Sequence, residues 1–100
     1  MNRTEALKAI DELEKLVQSF GGPYEQEHRA FKALVFSLRN GSLHDHYFRE
    51  KLSDAENWAS DGFSSRKFNN YLGGLQHVKV RALGALSTAR SLIQQSWPER

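Results

Sequence analysis

The chain has 100 residues, 39% hydrophobic and 26% charged, with seven glycines, two prolines and no cysteine. That size supports one modest core and that balance argues against disorder, while the lack of cysteine excludes a disulfide scaffold, a cysteine-based zinc site and a thiol nucleophile. The net charge of +2 hides an asymmetry: residues 1–61 carry eight Lys and Arg against eleven Asp and Glu, a net of −3, whereas residues 62–100 carry six against one, a net of +5.

In chain order, the first predicted helix covers residues 3–20. Leu7, Ile10, Leu13, Val17 and Phe20 recur at spacings of three and four and so share one helical stripe. Asn2 and Glu5 have the form of an N-cap and its third helical residue. Gly21 is placed to end the helix in a left-handed conformation, and Pro23 to open the next. This opening stretch is amphipathic and carries acids early, unlike a secretory or transit segment.

The second helix, 23–39, places Tyr24, Phe31, Leu34, Val35 and Leu38 on one face. Its acids come first (Glu25, Glu27) and Arg39 comes last, as the helix dipole favours. The third, 42–59, begins at Ser42 as N-cap and carries Leu43, Tyr47, Phe48, Leu52, Ala55 and Ala59, with Ser53 and Glu56 offering an internal restart.

The fourth, 64–96, presents Phe68, Tyr71, Leu72, Leu75, Val78, Ala82, Ala85, Leu86, Ala89 and Ile93, and Gly73-Gly74 is a candidate break within it. Its Ala- and Gly-rich surface (Ala82, Gly84, Ala85, Ala89) lets another helix approach closely. No stretch alternates with period two. The expected fold is therefore all-α: a small antiparallel bundle of about four helices in a single domain, 1–100. No apolar run approaches the ~20 residues needed to span a bilayer, and a soluble cytoplasmic protein is expected.

Chemistry is sparse. Glu25 and His28 stand at Glu-x-x-His spacing, but a carboxylate-bridged metal pair needs a second copy, which is absent. His44 and His46 project about 200° apart on a helix and cannot chelate one ion. The serines fall at expected helix boundaries, and Gly73-Gly74 lacks the surroundings of a phosphate loop. No metal, cofactor or small-molecule substrate is expected.

The richer candidate is the fourth segment, which has no carboxylate between Gly62 and Pro98. On a continuous helix, Arg66, Asn70, His77 and Arg81 fall within roughly 60° of one another. Lys67 lies beside them, and Thr88 and Gln95 extend the stripe. Such a face suits phosphate or carboxylate, with Tyr71 and His77 offering stacking surface. The expected function is a non-enzymatic binding or regulatory module. Its partner is a nucleic acid, a nucleoprotein assembly or an acidic protein surface. A protein partner at exposed aromatics, as in adaptors, inhibitors and immunity-type bundles, or a second copy of the chain, is the remaining class. Trp58 and Trp97 stand near helix ends, where an indole either closes the core or anchors a partner. The closing role is the expected one.

Residues 39–46 read RNGSLHDH. The spacing Arg39-x4-His44, with a polar residue after the Arg, resembles the signature of HEPN-family ribonucleases, which are small helical proteins usually active as dimers. The resemblance covers eight residues. It implies metal-independent RNA cleavage, with His44 transferring protons and Arg39 steadying charge on the scissile phosphate. The plainer reading makes Arg39 a helix C-terminal cation, Asn40-Gly41 a turn and His44 a solvated residue.

Overall fold

Asn2 starts the first helix with both halves of a capping box: its side chain accepts from the Glu5 N–H, and the Glu5 carboxylate accepts from the Asn2 N–H. The computed structural model describes residues 1–22, 24–64 and 71–98. They form α1 (Arg3–Val17), α2 (Glu25–Arg39), α3 (His46–Gly62) and α4 (Gly74–Ser96), with no strand among the described residues. Each helix packs on its neighbours in chain order, α4 closes back on α1, and the α3–α4 contact is the most extensive.

Directions follow from named contacts. Arg90 on α4 donates to Asp11 (2.6 Å) and to Glu14 on α1, and Arg3 reaches the Trp97 carbonyl at 3.1 Å, so these helices run antiparallel. Arg39 meets α3 at Ser53 while His28 meets Phe63, which makes α2 and α3 antiparallel as well. The result is the expected up-down four-helix bundle, with Cα extents of 44 × 25 × 17 Å.

The helix boundaries differ from expectation for local reasons. After Val17, i→i+3 bonds tighten the chain (Ser19 to Leu16, Phe20 to Val17), so α1 ends before Phe20, which is nonetheless buried. α2 starts at Glu25, and Tyr24, standing before it, is 52% exposed rather than packed; Pro23 lies outside the described residues. Asp45, not Ser42, caps α3 by accepting from the Phe48 N–H. There is no restart at Ser53: α3 runs through it, and Ser53 accepts a hydrogen bond from Arg39.

The expected break falls at Gly73-Gly74: Gly73 is the N-cap of α4 at φ +91° and Gly74, its first residue, follows at φ +57°. Leu72, assigned to the apolar face of a continuous helix, therefore sits in the preceding turn and is 98% exposed. Phe68 lies outside the described residues.

The core has an aromatic cluster at each end. Phe48 and Trp97 meet edge to face at one end (6.2 Å), and Trp97 is 1% exposed, closing the bundle there. Phe20, Phe31 and Phe63 gather at the other, with ring centroids 4.9–6.4 Å apart. Here the Gly21 N–H donates to the Gly62 carbonyl at 2.8 Å, tying the α1–α2 turn to the end of α3. Among the described residues, no helix is long and apolar enough to cross a membrane.

His28 stacks on Phe63 (5.2 Å, 24° between planes), and its Nε2 is buried without a hydrogen-bond partner. Burial first, then the charge of Lys32, pushes its pKa below the usual 6.5, with Glu56 opposing. The unfolded chain thus binds this proton more readily. The His28 contribution to stability is complete above about pH 6.5 and is lost as the pH falls through the lowered folded value. Urea midpoints measured from neutral to mildly acid pH should fall less steeply in His28→Gln than in the parent chain. Equal slopes would reject this assignment.

Candidate functional site

The antiparallel contact of α3 and α4 leaves a groove of about 490 Å³ along its outer side. On α3 its wall is Lys51, Asp54 and Trp58, spaced three and four residues apart; on α4 it is His77, Val80, Arg81 and Gly84, with Ala85 at the floor. The two ridges have the same heptad-like spacing because both helices must turn one face into the core and another toward this seam. Phe48, Leu52, Ala55 and Ala59 occupy the core face of α3, and Val78, Ala82, Ala85, Leu86, Ala89 and Ile93 that of α4.

One end of the groove is aromatic. Trp58, Tyr71 and His77 form a mutually packed cluster: Tyr71 and His77 stack at 5.5 Å with 23° between planes, and Trp58 meets them at 5.3 and 5.6 Å. The Tyr71 hydroxyl donates to Asp61, and that hydrogen bond to the carboxylate raises the phenol above its usual pKa. Beyond the other end, Lys51 lies over the Tyr47 ring at 5.1 Å and pairs with Asp54 at 3.5 Å.

Both carboxylates near the groove therefore have partners. Arg81 is exposed and makes no ion pair with any described residue. Gly84 is exposed, and a Cβ built on it would meet nothing within 4 Å. A glycine inside a helix costs about 1 kcal/mol against alanine, and no packing contact within the described chain requires one here.

Of the basic face expected on the fourth segment, His77 and Arg81 share the groove wall, and Thr88 lies one turn beyond Gly84, donating to its carbonyl at 3.2 Å. Arg66, Lys67 and Asn70 fall outside the described residues. The premise that placed them on one stripe with His77, a continuous helix from residue 64, is corrected by the start of α4 at Gly74. The cation at position 90 is turned to α1, where Asp11 and Glu14 hold it.

Trp58 alone stands out by residue type, but the groove's α3 wall has a signal in the sequence: Tyr47, Lys51, Asp54 and Trp58 form a second stripe beside the apolar one.

The structure does not join Arg39 to His44. The segment between them is a helix end, a turn and an extended approach to α3, so their spacing does not give them a common helical face. Arg39 donates to Ser53 at 2.8 Å and pairs with Glu56 at 3.7 Å. Ser53 lies about 10 Å along α3 from its first residue, whereas His44 precedes that residue and contacts Arg49 at 3.2 Å. Glu25 pairs with Arg29 on the surface and not with His28. Among the described residues no group of three or more His, Cys, Asp or Glu could hold a metal ion.

A larger recess of about 1010 Å³ opens at the end of the bundle, beside Met1, Thr4, Ser42, His44 and Pro98. The Asn2 and Glu5 side chains that border it are already committed to the α1 cap. No protein-family model, curated protein or solved structure matches the chain.

Proposed function

We propose that this chain is a non-enzymatic binding module that receives an acidic protein surface on the face where α3 meets α4. The observation that carries the reading is the exposed Arg81, unpaired among the described residues, in a groove that also offers Trp58, His77 and Val80. An apolar and aromatic wall gives contact area, and one uncompensated cation selects the sign of the partner. The absence of any carboxylate from Gly62 to Pro98 extends that preference along α4.

Acidic protein is favoured over nucleic acid by Asp54 in the groove and Asp61 at its aromatic end. A phosphate backbone laid along this face would run past both carboxylates, whereas a folded partner places its acids individually. A reducing, cytoplasmic setting suits a cysteine-free chain.

Fluorescence anisotropy with a Glu-rich peptide and a single-stranded RNA, each titrated with salt, tests the reading. The peptide should bind the parent chain, and Arg81→Glu should weaken it about tenfold. RNA binding that is tighter than peptide binding and falls linearly with log salt would replace acidic protein with nucleic acid as the partner.

A further inference from the structure

We infer that the occupant of the α3–α4 groove is an amphipathic helix of the partner, seated across Gly84 with an acid beside Arg81. The inference rests on the acidic-partner reading and adds to it the shape and register of what binds.

Three features converge. The groove is walled by two antiparallel helices whose exposed ridges repeat every three to four residues, the spacing into which the side-chain ridges of a third helix fit. Gly84 stands in mid-helix, exposed, with open space where its Cβ would be. The use of a glycine on a helix surface is to let another backbone come close, and no described element of this chain does so. Val80, 55% exposed one turn away, and the half-buried Trp58 opposite supply apolar contact on either side of that point.

Charge gives the occupant its polar edge. Arg81 flanks the apolar wall on the α4 side, and Lys51 on the α3 side is held by Asp54. A helix with a narrow apolar stripe and acids beside it meets both demands, and an extended acidic strand meets only the second. From Lys51 to Trp58 the α3 wall rises over seven residue steps, about 10 Å. The occupant therefore contacts the groove over about two turns.

The probe is a synthetic peptide of about 15 residues with Leu and Ala at heptad positions and Glu on the flanks. Its control has the same composition in an order that erases the stripe. Amide and indole resonances of the full chain are followed by NMR up to millimolar peptide. The patterned peptide should shift Lys51, Trp58, Val80 and Gly84, and the control should bind at least about tenfold more weakly. Gly84→Leu should reduce patterned-peptide affinity about tenfold or more while keeping the parent's helix content, because its site is open. Val80→Glu provides a second variant with the same expected loss.

Equal binding of both peptides at these residues would overturn the helix inference and leave the acidic-partner reading standing. So would an undiminished affinity in Gly84→Leu. Binding of neither peptide would overturn both.

Discussion

Trp97→Ala should lower folding stability by about 3–5 kcal/mol, the range for removing a large aromatic from a closed core. Against a typical domain stability of roughly 5–15 kcal/mol that is a large fraction. Trp97 is 1% exposed, meets Phe48 edge to face and is crossed by the turn at Gly41, where even a methyl group would come within 2.5 Å of the indole. Its ring thus fills a space bounded by three segments, and truncation leaves a void that none of them can close alone. Trp97→Phe should lose much less. The indole Nε1 is buried without a hydrogen-bond partner, so removing that donor offsets part of the lost volume. Urea unfolding followed by circular dichroism measures both. A midpoint in Trp97→Ala equal to the parent's would mean that Trp97 does not close the core.

The second large effect has the opposite sign from helix propensity. Gly62 is the last residue of α3, with an ordinary backbone conformation, and alanine there should favour the helix by about 1 kcal/mol. A Cβ, however, would fall within 2.7 Å of three atoms of the Phe20 ring, which is wedged between Phe31 and Phe63. The expected net result for Gly62→Ala is a loss of about 1–3 kcal/mol, the usual penalty for overfilling a packed interior. Phe20→Leu in the same chain should recover part of it, giving a measurable coupling in a double-mutant cycle. Gly84→Ala is the internal comparison: its Cβ meets open space, so there the propensity gain should survive and the melting temperature rise.

The fold was legible where the signal is local. Asn2 and Glu5 are three residues apart and cap each other whatever the rest of the chain does. The apolar stripes of Ile10, Leu13 and Val17, of Phe31, Val35 and Leu38, and of Phe48, Leu52 and Ala55 all became core. Failures came where two local solutions compete. Ser42 and Asp45 both have capping side chains, and the chain used the later one because residues 41–45 are needed to cross from α2 to α3. At Gly73-Gly74 the expected break is present, but periodicity carried across it places Leu72 on a face that does not extend that far.

The candidate site was legible only in halves. His77 and Arg81 stood out because no acid neutralises that part of the sequence, and Trp58 because of its type. That they form one groove with Lys51 depends on the antiparallel pairing of α3 and α4, which brings residue 58 beside 77 across a sequence gap. Composition groups Gly84 with Ala82, Ala85 and Ala89 as one small-residue surface, yet the alanines face the core while Gly84 faces outward. Burial, not composition, separates the two uses.

Arg3 and the Trp97 carbonyl lie 3.1 Å apart although 94 positions separate them along the backbone. The helical circuit is thus nearly a closed ring, and its continuity does not depend on where the ring is cut. A brief polar linker joining residue 98 to residue 1, with new ends opened in the turn between α2 and α3, should yield a permuted chain with the same neighbours at every helix. By the same geometry, the unit can sit within a surface loop of another protein, entering and leaving through adjacent points and displaying its outer faces without distorting its host.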